Sequence, residues 1–279
     1  MRKINLDTVV DAVAKLCADA NFHIPEDVME KLKIAQEEEI SPVGKDVLMQ
    51  IIENDKIARA ENVPMCQDTG LAVIFLELGK DIYYDGDIYE GIQEGVRRGY
   101  EENYLRKSIV KDPFDRVNTK DNTPAIIHTK IVQGSKIKII LAPKGGGSEN
   151  MSTVVMLKPS DGIDGVKKFV VDFVEKAGGN PCPPIIVGIG IGGNLEKSAL
   201  LAKEALLRPI NDTNKNEKYA ELEKDLLNSI NNLGLGPMGL GGRTTALAVK
   251  VEVHPCHIAQ LPLAININCH ASRHKEVII

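Results

Sequence analysis

"PPIIVGIGIGGNLEKSALLAKEALL", Pro183–Leu207, decides the class of fold. Its first half is a short apolar run of Ile and Val bounded by two prolines, which predicts a buried strand running into a glycine turn. Its second half, "NLEKSALLAKEALL", reads as a helix. A strand followed directly by a helix points to an architecture in which the two alternate. The glycines also match the dinucleotide fingerprint literally at Gly188, Gly190 and Gly193. That motif needs a second parallel strand whose acidic end, about 20 residues on, holds the ribose. Here that place is "PINDTNKNE", with Asp212 in a polar loop. A second literal match at Gly234, Gly236 and Gly239 follows a helix and contains Pro237. Tight turns and close backbone packing are therefore the favoured reading of both runs, and an NAD-dependent oxidoreductase is the remote alternative.

Working toward the N-terminus, the first sixty residues read as helices. Val9, Val10, Val13, Leu16, Cys17 and Ala20 share one stripe, Pro25 suits a first helical position, and Val47, Leu48, Ile51 and Ile52 repeat the pattern. "LAVIFLEL" after residue 70 is a strand, and a helix with Ile88, Ile92 and Val96 on one side follows it. "PAIIHTKIVQGSKIKIILAP" predicts two strands joined as a hairpin at Gly134-Ser135. Residues 162 to 178 predict a helix carrying Val166, Phe169, Val170, Phe173 and Val174 on one face and ending at Gly178. A further helix ends at Gly234, and "TTALAVKVEV" and "LAININ" are the last strands. The expected fold is mixed α/β, with α+β as the variant. A mainly helical segment 1–62 precedes a mixed segment 63–279, forming a single domain 1–279 or two closely packed halves.

Composition narrows the functional classes. A 43% hydrophobic and 26% charged chain of 279 residues can bury a sizeable core, and no apolar run nears the ~20 residues of a membrane span. The opening "MRKINLDTVVDAV" lacks an apolar h-region, so no signal peptide is expected and the cytoplasm is the expected compartment. A net charge of -5 with interspersed signs argues against nucleic acid and for small substrates or protein partners. Five scattered cysteines, an odd number, suit a reducing compartment, and a metal or cluster is the natural reason for several of them to act together.

Three further features bear on chemistry. "PKGGGSEN" places Gly145, Gly146 and Gly147 between a strand and a helix expected near Ser148, where successive N–H groups can hold an anion. Four of six histidines, His254, His257, His270 and His274, fall in the last 26 residues. With Cys256 they make zinc conceivable, but no paired C-x-x-C or H-x-x-x-H supports it. Cys17 lies on an apolar helical stripe and reads as a small buried hydrophobe. Cys66, Cys182 and Cys269 sit in breaks at element ends, "PMCQDTG", "NPCPP" and "INCHAS", where ligands converge. Composition alone does not separate these three from Cys256.

Taken together, "CQDTG", "KGGGSEN", "NPCPPIIVGIGIGGN" and "GLGPMGLGGRTTALAVKVEVHPCHIAQLPLAININCHASRH" resemble the iron–sulfur class I fumarase and L-tartrate dehydratase family. The resemblance covers most of the chain from Cys66 onward, in the family's order. Some members join two regions in one chain and others split them into alpha and beta subunits. The chain ends at Ile279, just after "NCHASRH", and so resembles the alpha subunit alone.

The resemblance implies a 4Fe-4S cluster held by Cys66, Cys182 and Cys269, with one iron left open to substrate. Three thiolates rather than four make chemical sense, because an open iron can act as a Lewis acid on a hydroxy acid. It further implies Asp68 as the proton-transfer group, two residues from a ligand. Gln67 would contact substrate, Arg106 would pair with a substrate carboxylate, Gly146 would offer its N–H and His257 would donate a hydrogen bond. The expected function is reversible hydration of fumarate to L-malate, with L(+)-tartrate dehydration the alternative. The expected partners are a small dicarboxylate and a beta subunit that completes the site, without which the chain would bind its cluster but turn over little substrate.

Overall fold

The computed structural model describes all 279 residues, Met1–Ile279. In chain order the elements are β1 (Arg2–Ile4), α1 (Leu6–Phe22), α2 (Glu26–Glu38), α3 (Pro42–Glu61), β2 (Leu71–Gly79), β3 (Ile82–Tyr84), α4 (Ile88–Glu102), β4 (Ile126–Val132), β5 (Ile137–Lys144), α5 (Gly146–Glu149), β6 (Thr153–Leu157), α6 (Gly162–Ala177), β7 (Ile185–Gly192), α7 (Leu195–Ala205), α8 (Glu217–Asn231), β8 (Ala246–His254), β9 (Leu261–Asn268) and β10 (Lys275–Ile278). The fold is mixed α/β, as the alternation of periods predicts. Polar side chains start the helices where the sequence places them. Asn5, Asp87, Asn194 and Asn216 each accept a hydrogen bond from a first-turn N–H of α1, α4, α7 and α8, occupying donors that would otherwise be orphaned. No helix is long and apolar enough to cross a membrane.

The chain forms two compact units. The first comprises Met1–Ile24, Asn54–Gly146 and Arg273–Ile279, and the second Pro25–Glu53 and Gly147–Ser272. The last turns of α3 thus belong to the first unit and its beginning to the second.

In the first unit a four-stranded sheet has the order β10-β5-β2-β4. Ile74 and Leu76 of β2 and Ile137, Ile139 and Leu141 of β5 pack on Val9, Val13 and Leu16 of α1 and on Ile92, Val96 and Tyr100 of α4. Each side chain of this size contributes roughly 1.5–3 kcal/mol when withdrawn from water. The expected hairpin of β4 and β5 is absent. Both strands exist and meet through Gly134-Ser135, but β2 lies between them, parallel to β4 and antiparallel to β5. The physical reason is burial. Residues 72–76 of β2 are buried without a break and need neighbours on both edges, whereas β4 leaves Ile131 73% exposed. The connection wraps the end of β2 instead, with Gly79 donating to Lys136 O and Asp81 to Gly134 O.

The second unit is layered around a sheet of order β6-β9-β7-β8, in which β7 is parallel to β8 and antiparallel to β9. Ile185, Val187 and Ile189 of β7 join Val166, Val170 and Val174 of α6 and Leu222, Leu226 and Ile230 of α8 in one core. The alternate positions, Gly188 and Gly190, face α7, since strand residues alternate sides. A Cβ on Gly188 would stand 2.2 Å from Ala202 O, and one on Gly190 2.0 Å from Ser198 O. Gly188 and Gly190 therefore lie inside the strand and let α7 press against its backbone, while Gly192 and Gly193 end it at positive φ. That is the close-packing reading, not a phosphate turn.

Candidate active site

The loop Met65–Gly70, between α3 and β2, is held at Met65, Asp68, Thr69 and Gly70 by groups of the first unit. Met65 donates its N–H to Asn21 O at 3.1 Å, and its carbonyl accepts from the Asn54 amide at 2.8 Å. Arg273 Nη2 donates to Asp68 O at 2.7 Å. Thr69 Oγ1 donates to Arg106 O at 3.2 Å, which ties the Arg106 backbone to the same loop. The Tyr100 hydroxyl lies 2.9 Å from both Thr69 O and Gly70 O, and Asn122 Nδ2 donates to Gly70 O at 3.1 Å. Tyr100 and Asn122 are fully buried. Burial pushes the Tyr100 phenol far above its ordinary pKa, against the pull of Arg273, so it remains a neutral donor. Gly70, at φ +73°, runs so close to Lys144 that a Cβ would stand 2.7 Å from the Lys144 backbone nitrogen.

Within the loop, the Cys66 thiol and the Asp68 carboxylate are both oriented by backbone. The Asp68 N–H points at Cys66 Sγ at 3.4 Å, and the Cys66 thiol faces Gln67 Oε1 at 3.4 Å. Asp68 Oδ1 accepts from Gly70 N at 3.0 Å, and Oδ2 accepts from Gly146 N at 2.8 Å, 78 residues away. Gly146, expected to offer its N–H to substrate, gives it here to Asp68. Cys66 and Asp68 are half-buried, and Gln67 and Arg106 are exposed.

The second unit brings Cys182 and the segment after β9 together. Cys182 follows α6 in a turn closed by its N–H to Gly179 O at 3.0 Å, and its carbonyl accepts from His270 N at 3.3 Å. Cys182 has φ +55°, a left-handed conformation that costs a non-glycine residue about 1–2 kcal/mol and turns its side chain out of the chain's path. Pro183 O accepts from Met238 N at 2.8 Å, so the glycine-rich segment before β8 braces this turn. Cys182 and Cys269 are half-buried. His257 is exposed beyond β8, and its Nδ1 accepts from Ala259 N at 3.1 Å, so a neutral ring carries its proton on Nε2 as an outward donor.

The remaining cysteines differ. Cys17 is completely buried, and that burial drives its thiol far above its ordinary pKa. Cys256 is exposed, its Sγ facing Gln260 O at 3.4 Å. No three His, Cys, Asp and Glu side chains stand ready around a single metal ion.

Sequence reasoning missed the groups that hold the Cys66 loop. Tyr100 reads as one more apolar residue of α4, and nothing local marks its hydroxyl. Arg273 lies within "NCHASRH", 205 residues from the Asp68 carbonyl it holds, and nothing local marks that contact.

Comparison with known proteins places the chain in a family. A protein of Methanocaldococcus jannaschii, provisionally named L(+)-tartrate dehydratase subunit alpha, is 48% identical over 272 residues, which is 95% of each chain. The L(+)-tartrate dehydratase subunit alpha of Escherichia coli O157:H7 is 32% identical over 278 residues, covering 98% of this chain and 91% of that one. The family model described as fumarate hydratase (Fumerase) matches residues 10–278. The chain therefore belongs to the fumarate hydratase family of hydro-lyases.

Proposed function

We propose that this chain is the alpha subunit of an iron–sulfur hydro-lyase that adds water reversibly to fumarate to give L-malate. The arrangement of the Cys66 loop carries the reading: a thiol under an amide N–H and a carboxylate fixed by two further N–H groups stand two residues apart on a braced segment. Cys66, Cys182 and Cys269 would hold a 4Fe-4S cluster. The donor set fits such a group. A cluster takes one soft thiolate on each of several irons, and Cys66, Cys182 and Cys269 each offer a half-buried thiol at the end of an element. Cys17 is too deeply buried to serve, and Cys256 lies in an open loop.

When bound, the cluster supplies a Lewis acid that makes hydroxide a better leaving group. This chain's own residues do the rest of its share. Asp68, fixed by Gly70 and Gly146, gives and takes the proton of the departing hydroxyl through a carboxylate oxygen. The Arg106 guanidinium pairs with a substrate carboxylate through its planar fork. His257 donates from Nε2, and the exposed Gln67 amide contacts the substrate. Gly146, by holding Asp68, orients the acid as well as lining the site.

A beta subunit would supply the opposite wall, as the names of the alpha-subunit relatives suggest. Those names also support a second reading, dehydration of L(+)-tartrate, which is the same elimination from a hydroxydicarboxylate with one more hydroxyl. Five free cysteines suit the reducing cytoplasm.

The test is anaerobic reconstitution of the full chain, alone and co-expressed with a candidate beta chain, assayed on fumarate, L-malate and the tartrate isomers. The expected protein is brown with about four irons per chain, and water addition needs the partner. Cys66→Ser, Cys182→Ser and Cys269→Ser should each lose iron, while Cys17→Ser and Cys256→Ser should keep it. Full iron retention by any of the first three, or no turnover of any of these acids by the complex, overturns the reading.

A further inference from the structure

The segment that carries Arg106 and the loop that carries Cys66 and Asp68 are joined by two buried side chains. Thr69, 2% exposed, donates from Oγ1 to Arg106 O at 3.2 Å, 37 residues away. Asn122 has no exposed surface and uses both halves of its amide. Nδ2 donates to Gly70 O at 3.1 Å, and Oδ1 accepts from Ser108 N at 2.7 Å. Asn122 stands 52 residues from Gly70 and 14 from Ser108, so it grips both segments from a third. Its φ is +61°, a left-handed conformation that Asn tolerates better than most residues with a Cβ. The residue before it is fixed in turn. Asp121 accepts on Oδ2 from Arg97 Nε of α4 at 3.3 Å and on Oδ1 from Thr123 N at 3.0 Å.

A carboxamide is neutral and carries a donor and an acceptor on one planar group, so it can bridge an N–H and a carbonyl in the interior without a counter-charge. The partners also fix which way it points, because Ser108 N only donates and Gly70 O only accepts. We propose that Asn122 is a positioning residue: by holding Ser108 and Gly70 together it sets the Arg106 segment against the Cys66–Gly70 loop before any ligand binds. Thr69 makes the parallel tie. Asn122 touches neither substrate nor cluster in this scheme. It acts through two backbones, and its effect on turnover rests on the roles given to Arg106 and Asp68 above. A small hydroxy acid presents its carboxylate and hydroxyl at a fixed spacing, so a cation and a proton-transfer group that meet them must keep a matching one.

The test begins with the iron-free full chain. Amide hydrogen exchange is measured over residues 65–70 and 105–109, with β7 and β8 as the reference. Asn122→Gly is the informative variant, because glycine adopts a left-handed backbone without strain and only the amide is lost. It should raise exchange about tenfold over 105–109 and severalfold over 65–70, which keeps its other braces, and leave the reference strands unchanged. Thr69→Val alters only the Cys66 loop, yet should raise exchange over 105–109 as well, and Thr69→Ser should restore the protection. Because the two ties act in parallel, the double variant Thr69→Val/Asn122→Gly should exceed the product of the single effects. In the reconstituted complex, Asn122→Gly should raise KM for L-malate by a larger factor than it lowers kcat, with iron content unchanged, since the Arg106 segment is the part most freed.

Unaltered exchange over 65–70 in Asn122→Gly, or over 105–109 in Thr69→Val, overturns the proposal, as does independence of the two effects in the double variant. A rise spread evenly over the whole chain also overturns it, and so does an unmoved KM at full iron content. Should Asn122→Gly not fold, Thr69→Val and Thr69→Ser carry the same comparison between the two segments. The exchange measurement needs neither iron nor turnover, so it separates failure of this clamp from failure of the hydro-lyase reading.

Discussion

Replacing Glu39 by Gln is the sharpest test of how the second unit is held together. Glu39 caps the C-terminal end of α2, is 1% exposed, and joins that end to the start of β8, 204 residues on. Oε1 accepts from Ile40 N at 2.9 Å, Ser41 N at 3.0 Å and Arg243 N at 2.8 Å, and Oε2 accepts from Arg243 N and Thr244 N at 2.9 Å each. Burial alone would raise its pKa, but the N–H donors of Arg243, Ser41, Thr244 and Ile40 together hold it below the ordinary value. The amide of Gln must turn an NH2 toward one of these sets of donors, and the Oε2 side loses fewer bonds. Two hydrogen bonds to a charged acceptor, at roughly 1.5–3 kcal/mol each and partly recovered by water, set the loss at about 2–4 kcal/mol. With a urea dependence of about 1–3 kcal/mol per molar, the midpoint should fall by about 1 M or more. Because two units need not unfold together, hydrogen exchange of the β8 amides is the better assay, since it reports the second unit alone. The pH dependence gives a second check. A carboxyl held low in the fold stabilises fully above its unfolded value of about 4.3 and loses that stabilisation as pH falls through its folded value. The gap between native chain and variant should therefore be complete at pH 7 and close in acid. A loss under 0.5 kcal/mol at pH 7, or a gap that persists undiminished in acid, refutes the reasoning.

Tyr100→Phe keeps the ring and deletes the one hydroxyl shared by Thr69 O and Gly70 O, so it should cost about 1–3 kcal/mol and lower the unfolding temperature by several degrees. Calorimetry of the iron-free chain checks it, and an unchanged melting temperature would show that water reaches these carbonyls. Gly190→Ala must push α7 off β7 and should cost about 3 kcal/mol, whereas Gly91→Ala in α4, whose Cβ meets only Val10 at 4.0 Å, should be neutral or stabilising by up to about 1 kcal/mol. Comparable losses in the two variants would remove the close-packing account of "GIGIGG". Asp68→Asn should keep cluster iron and lose turnover in the complex by about 100-fold or more, the range expected for a general acid–base. Undiminished kcat would take Asp68 out of the mechanism.

The helices were legible because what makes them is local. The stripe of Val9, Val13, Leu16 and Cys17 and the stop at Gly178 need nothing beyond a few residues on either side. The short strands β6 and β10 were not legible, since four or five residues carry too little period to tell a strand from a loop. Of the candidate site, Cys66, Gln67 and Asp68 stand out in "MCQDTG" by proximity alone. Arg273 does not, because its hold on the Asp68 carbonyl joins residues 205 apart.

What the sequence determined by itself is the kind of each long element, the positions where the chain breaks, and the residue types gathered in those breaks. These follow from side-chain periodicity and from backbone preferences of Gly, Pro and Asn, which act within one turn or one strand. Only the tertiary structure decided that β2 would part β4 from β5, that Glu39 would reach Arg243 and Thr244, and that the Asp68 carboxylate would be held by Gly146. Each is a contact between segments far apart in the chain. It is chosen by which arrangement buries the continuous apolar strands and leaves no interior N–H or carbonyl without a partner, and no local window of sequence contains both sides of that choice.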